Sequence, residues 1–276
     1  MKRLLLLPIV LGSLLCQAQD IGLFSAKSPY DWEANGYRHV GEGALEELLR
    51  IMPYEIYPDF SSAFEYIDRF HLIDIDKDGV DEVLYNGYTG GEGEGVLIFR
   101  KVNGAYQYVS SWTGRVVDLH GEEGTHLVLL DYACCAGYVD HLTYLEYLPG
   151  EGRFRITEDY AAMGNSLIDY QSIEPVRFEV IQESYNMRDS PNIKTGLREM
   201  DLPYMPIDGQ NIVTVYHQGD KGTALAEWED DTGRVWWLVV MDDTPNRNNS
   251  LFYGGNNDYK HYKAIGWMSS RYLRPL

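Results

Sequence analysis

The chain has 276 residues, with 23 Lys and Arg against 42 Asp and Glu and a formal net charge of −19. A surface of that sign repels phosphate backbones and anionic headgroups, so it argues against nucleic-acid and membrane partners and suits calcium or a basic protein. The length accommodates two domains with cores of their own, and 3 cysteines are too few for a disulfide scaffold.

Met1-Lys2-Arg3 is a short cationic start, and Leu4 to Leu15 is an apolar run. Cys16 and Ala18 place small residues three and one positions before a cleavage point, which completes the three-part layout of a secretory signal over 1–18. At about 1.5 Å of rise per residue the apolar run spans roughly 18 Å, short of a ~30 Å bilayer core, so membrane insertion is not expected. The mature protein is expected to begin at Gln19 and to be periplasmic or secreted. A lipoprotein anchored at Cys16 is the less favoured alternative, because Leu15 stands where that signal wants a small residue. Cleavage removes Lys2 and Arg3 and no acidic residue, so the mature chain is more acidic still.

From Gln19 to about His39 the sequence is polar and aromatic without clear period, as in an irregular arm. Leu45, Leu48, Leu49 and Met52 fall at helical spacing and Pro53 follows, which predicts a helix over 42–52. A second short helix is predicted over 59–70, with Asp59 as its cap and Phe64, Ile67 and Phe70 on one face.

From Leu72 the pattern turns to strands and repeats itself. Two stretches, about 72–115 and 116–160, each read as strand, acidic turn, strand, longer loop, strand, Gly-containing turn, strand, with Asp74 aligned on Asp118. Four strands at this period resemble propeller blades, but two blades cannot close a ring. A small antiparallel β domain beside the helices is therefore expected, followed by a connector from Tyr160 to Pro175. Beyond it, VRFEVIQES, NIVTVYHQ, TALAEWE, VWWLVVM and AIGWM are β-rich runs between Gly, Asp and Asn turns.

The sharpest local signal is Asp74-Ile75-Asp76-Lys77-Asp78-Gly79-Val80-Asp81-Glu82. Calcium takes 6–8 oxygen ligands, and carboxylates at positions 1, 3 and 5 of a tight loop converge on one point. Asp74, Asp76, Asp78, the Val80 carbonyl and Glu82 are the candidate ligands, with Gly79 at the bend. Tyr85 stands at position 12, so this is not an EF-hand. The motif resembles the D-x-D-x-D-G-x-x-D loops of FG-GAP and VCBS-type repeats, which implies calcium in a β-hairpin; Glu82 replaces their last Asp. The alternative is an Asp- and Gly-rich turn that binds nothing, although three carboxylates this close repel one another unless a cation offsets them. The equivalent turn of the second copy, HGEEGTH, lacks the ligands.

Cys134 and Cys135 are adjacent, and in an oxidising compartment they are candidates for a vicinal disulfide, with inert thiols as the alternative. Neighbouring side chains diverge, so a zinc site with His120, His126 and His141 is disfavoured. The run from Gly90 to Gly95 is followed by a strand, VLIF, and a phosphate-cradling loop needs a helix there. No nucleophile–base pair, zinc-ligand spacing or distinctive carboxylate pair marks an enzyme.

Four segments carry a second resemblance. SYNMRDSP (Ser184 to Pro191), Lys221-Gly222-Thr223 with TALAEWE, GRVWWLV (Gly233 to Val239) and GWMSSRYL (Gly266 to Leu273) resemble, in order, the LNVRSGPS, KGT, NGWYKV and GWVSSSYL segments of bacterial SH3-like domains. Ser190 stands where that family often has Gly, and the stretches from Asn192 to Asn211 and Asp242 to Lys263 are longer than usual. The resemblance implies a small open barrel over 176–276 that binds cell-wall peptides or proteins and does no chemistry. Tyr185, Trp236, Trp267 and Tyr272 are the candidate aromatic residues of its groove, with Trp236 and Trp267 equally readable as core.

The fold expected is mainly β: N-terminal helices and a two-repeat antiparallel β domain over 19–170, then a small SH3-like β-barrel. The function expected is that of a non-enzymatic exported binding protein, with a peptidoglycan peptide or a protein as ligand and calcium stabilising the first domain. The alternative is a periplasmic immunity or inhibitor protein that neutralises a basic toxin or enzyme.

Overall fold

The computed structural model describes residues 29–53, 67–88, 93–121, 125–132, 139–149, 151–163, 171–194, 211–242 and 262–276. The protein is mainly β, with one α-helix among the described residues, a five-stranded antiparallel sheet and an eleven-stranded mixed sheet. No helix among them is long and apolar enough to cross a membrane. The chain divides into two compact units, whose described residues lie within 27–159 and 160–276.

In the first unit, the five-stranded sheet runs in chain order through β1 (Arg38–His39), β2 (Phe70–Ile73), β3 (Glu82–Tyr88), β4 (Glu94–Val102) and β5 (Ala105–Thr113). The strands β6 (Arg115–His120), β7 (His126–Asp131), β8 (Val139–Leu148) and the first part of β9 (Arg153–Met163) also neighbour one another in order. Each of the two similar stretches of sequence thus folds as four consecutive strands. The helix α1 (Glu42–Ile51) packs Leu45 and Leu48 against Phe70, Val83, Tyr85, Leu97 and Phe99. The alternate residues Leu84, Val96 and Ile98 turn to the other face and meet Val116, Leu127, Leu129 and Leu145. Both faces of β3 and β4 are therefore buried, which is why VLY and VLIF read as unbroken apolar runs.

The helix expected over 59–70 falls mostly outside the described residues. At its end 67–69 form a 3-10 turn and Phe70 opens β2, paired with Tyr85. Phe70 is thus a strand residue; burial against α1 from the sheet replaces burial on a helix face. Tyr30, Trp32 and Tyr37 of the N-terminal arm pack edge to face on one another, and Trp32 stacks on His71 with ring centroids 4.0 Å apart.

The second unit contains the end of β9 with β10 (Gln171–Val180), β11 (Ser184–Arg188), β12 (Ile212–His217), β13 (Lys221–Glu229), β14 (Val235–Met241), β15 (Lys263–Ser269), a 3-10 turn (Ser270–Tyr272) and β16 (Leu273–Pro275). Its strands run β16-β10-β13-β14-β15, with β11 paired to both β15 and β12. Among the described residues these pairings do not close into a barrel. The connector expected over 160–175 is strand at both ends. Tyr160, Ala161 and Ala162 pair in parallel with Lys263, Ala264 and Ile265, and β10 begins at Gln171. Small buried side chains at 161, 162 and 264 let these strands lie together without exposing backbone polar groups.

Two glycines of the second unit are sites of close approach. A Cβ on Gly222 would lie 2.6 Å from the Val240 carbonyl oxygen and 2.8 Å from the Phe178 ring. Gly222 and Gly266 belong to the KGT and GWM segments, so packing accounts for both.

Candidate functional site

The acidic loop between β2 and β3 is organised by its own backbone. The Asp74 carboxylate accepts the Asp78 and Gly79 amide N–H groups, each at 3.0 Å, and Asp78 accepts the Val80 N–H at 2.8 Å. Gly79 has φ +89, a left-handed conformation that glycine adopts without steric cost. This path brings one carboxylate oxygen each from Asp74, Asp76 and Asp78 within 4.8 Å of one another. Three hard oxygen donors at that separation could bind a divalent metal ion, and the donor set fits calcium in chemistry.

Glu82 is not one of these three clustered carboxylates. Its carboxylate is only 3% exposed and accepts the Ile75 N–H at 2.9 Å and the Arg100 Nε–H at 3.1 Å. Burial pushes its pKa up, against the opposing effect of those hydrogen bonds. Glu82 thus faces inward and braces the loop, because it opens β3 on the buried side of the sheet. Val80 is 52% exposed at the loop tip. Arg100 on β4 also donates to Asp76 at 2.8 Å and to the Tyr147 hydroxyl of β8. Burial alone would lower the Arg100 pKa, but Tyr147 and Glu82 outweigh it and raise it. Nothing in the sequence marks Arg100 as the partner of this loop; the β3–β4 register puts it there.

The aromatic residues singled out in the second unit divide into two pairs. Trp236 and Trp267 are 2% and 1% exposed and belong to the core, so neither offers a face to a ligand. Tyr185 and Tyr272 are half-buried and meet edge to face, ring centroids 5.2 Å apart. The Tyr185 hydroxyl donates to the Ser269 carbonyl at 2.9 Å, and burial raises its pKa. Sequence reasoning missed Arg188 and Asn211, which lie close by. Arg188 was visible only as part of the SYNMRDSP segment. Cys134 and Cys135 lie outside the described residues. Comparison with known proteins finds no matching family model, no matching curated protein and no matching solved structure.

Proposed function

We propose that the protein is an exported, non-enzymatic binding protein. Its C-terminal unit is an SH3-like module that holds a cell-wall peptide or a protein ligand, and calcium at Asp74, Asp76 and Asp78 stiffens the first unit. One observation carries this reading. The four segments that resemble bacterial SH3-like domains lie on β11, β13, β14 and β15 with its 3-10 turn, and these strands adjoin one another. The antiparallel pairing of these strands and the turn before β16 suit a small open barrel, and Tyr185 and Tyr272 stay half-exposed where the first and last segments meet. With Trp236 and Trp267 buried, the half-exposed pair Tyr185 and Tyr272 is the groove in this reading.

The excess of acid over base supports the second reading, an inhibitor of a basic toxin or enzyme, and the same experiment separates the two. The mature chain is incubated with purified peptidoglycan and, in parallel, used as bait in envelope extract. Co-sedimentation with peptidoglycan that Tyr185→Ala and Tyr272→Ala abolish, while both variants stay folded, supports the first reading. Capture of a basic protein with salt-sensitive affinity and no retention on peptidoglycan favours the second. Intact mass of the exported protein checks the start at Gln19; a lipid on Cys16 would overturn soluble export.

A further inference from the structure

One guanidinium in the second unit is buried with no counter-charge among the described residues. Arg188 ends β11 at a break in its register with β12 and is only 8% exposed. Its single hydrogen bond runs from Nη1 to the Asn211 side-chain oxygen at 2.7 Å. Asn211, 3% exposed, is held fast by its amide, which donates to Asn192 and Ser190. A neutral amide oxygen compensates little of a desolvated charge, and the other Arg188 donors have no acceptor among the described residues. Burial accordingly lowers the Arg188 pKa.

Arg234 immediately precedes β14 and lies close enough to Tyr185 and Arg188 to act on both electrostatically. The Ser270 hydroxyl donates to the carbonyl of Val235 at 3.1 Å, while the Tyr185 hydroxyl binds the carbonyl of Ser269. The start of β14, the tyrosine on β11 and the turn that carries Tyr272 therefore meet. The Arg234 guanidinium lies over the Trp236 ring, 5.6 Å from its centroid, and like Arg188 forms no ion pair among the described residues. Neighbouring acids are engaged elsewhere. Asp189 accepts the Ser190 hydroxyl at 2.6 Å, and Asp230 accepts the Trp236 indole N–H at 2.9 Å.

We infer that Arg188 and Arg234, beside Tyr185 and Tyr272, receive the free carboxylate at the end of a peptide ligand. The inference rests on the binding-module reading and names what the module binds. A planar guanidinium matches a carboxylate with two parallel, charge-assisted hydrogen bonds, and the bond strengthens where water is excluded. The tyrosine pair offers flat apolar area to the last side chain. The acidic surface outside the site repels ligands with further negative charge, so a peptide with one terminal carboxylate and a neutral or basic body is selected.

The test uses the full mature chain and two probes, N-acetyl-alanyl-alanine and its C-terminal amide, titrated by calorimetry and tryptophan fluorescence. The acid is expected to bind at least about tenfold more tightly than the amide, a difference of about 1.4 kcal/mol. Its affinity should fall with salt. Arg234→Gln, a half-buried site, should erase the preference for the acid without unfolding the protein, and Arg188→Met should do the same. Equal affinity for acid and amide, no binding of either, or an unchanged preference in Arg234→Gln would overturn the inference. Inorganic phosphate bound as tightly as the acid would overturn the peptide assignment. Retention on peptidoglycan that depends on Tyr185 but not on either arginine would sink the carboxylate site and leave the module; no retention of the unsubstituted chain would sink both.

Discussion

Gly266 lies so close to Met187 that a Cβ on the glycine would stand 2.6 Å from the methionine Cγ and 2.9 Å from the Arg188 carbonyl oxygen. This contact joins β15 to β11, the two strands that bring Tyr185 and the 3-10 turn together. Gly266→Ala is expected to destabilise the protein by about 1–3 kcal/mol, the usual cost of overpacking a filled core. Gly222→Ala should behave likewise. The midpoint of urea unfolding measures both, and an unchanged midpoint would mean that Met187 and Phe178 move aside freely.

Arg100 and Glu82 form the second relationship with a measurable consequence. Arg100→Met leaves the Glu82 carboxylate buried with only the Ile75 N–H to offset it. Since Arg100 is itself 29% exposed, the expected loss is about 2–3 kcal/mol, below that of a fully buried pair. Adding Glu82→Leu should recover part of it, because an apolar side chain there needs no partner. Strictly additive losses in the double-mutant cycle would show that the two groups are not coupled.

The buried titratable groups predict opposing effects of pH. Burial raises Asp159 to about 7 and Asp131 to about 6, while it lowers His71 to about 3 and His141 to about 4. An acid whose folded pKa is raised contributes stability in full below its unfolded pKa, near 3.9, and loses it as pH rises through the folded value. A histidine whose folded pKa is lowered destabilises the fold as pH drops below about 6.5, where the unfolded chain takes up the proton first. Single variants separate the two. Relative to the wild type, Asp159→Asn should gain about 2–3 kcal/mol in stability between pH 5 and pH 8. His71→Leu should gain about 2 kcal/mol in the opposite direction, from pH 8 to pH 5. A pH-independent difference in either case would mean that the group titrates as if exposed.

Calcium provides the fourth prediction. With a Kd of about 10⁻⁴ to 10⁻³ M, millimolar calcium should raise the melting temperature by a few degrees, and chelation should reverse the rise. Asp74→Asn or Asp76→Ala should abolish the response. Glu82→Gln should retain it, since the Glu82 carboxylate is engaged by Arg100 and the Ile75 N–H and is not one of the three clustered groups. No heat of calcium binding and an unchanged melting curve would reduce the loop to an acidic turn held by its own backbone.

The sequence by itself determined most of the strands and their turns, because period and turn chemistry are local. Unbroken apolar runs in β3 and β4 follow from burial on both faces, and Asp74, Asp76 and Asp78 meet because one tight loop carries all three. The helix at Leu45 and Leu48 was equally legible from spacing. Register between distant segments was not, since nothing within a strand records which residue will stand opposite. Only the tertiary structure put Arg100 against Asp76, Glu82 and Tyr147, turned Glu82 inward, and sent Trp236 and Trp267 to the core. It also drew the stretch at Tyr160 into pairing with β15, and it set the buried Arg188 guanidinium against the neutral side-chain amide of Asn211. Each of these depends on which strands become neighbours, and that choice is made by the burial of the whole unit.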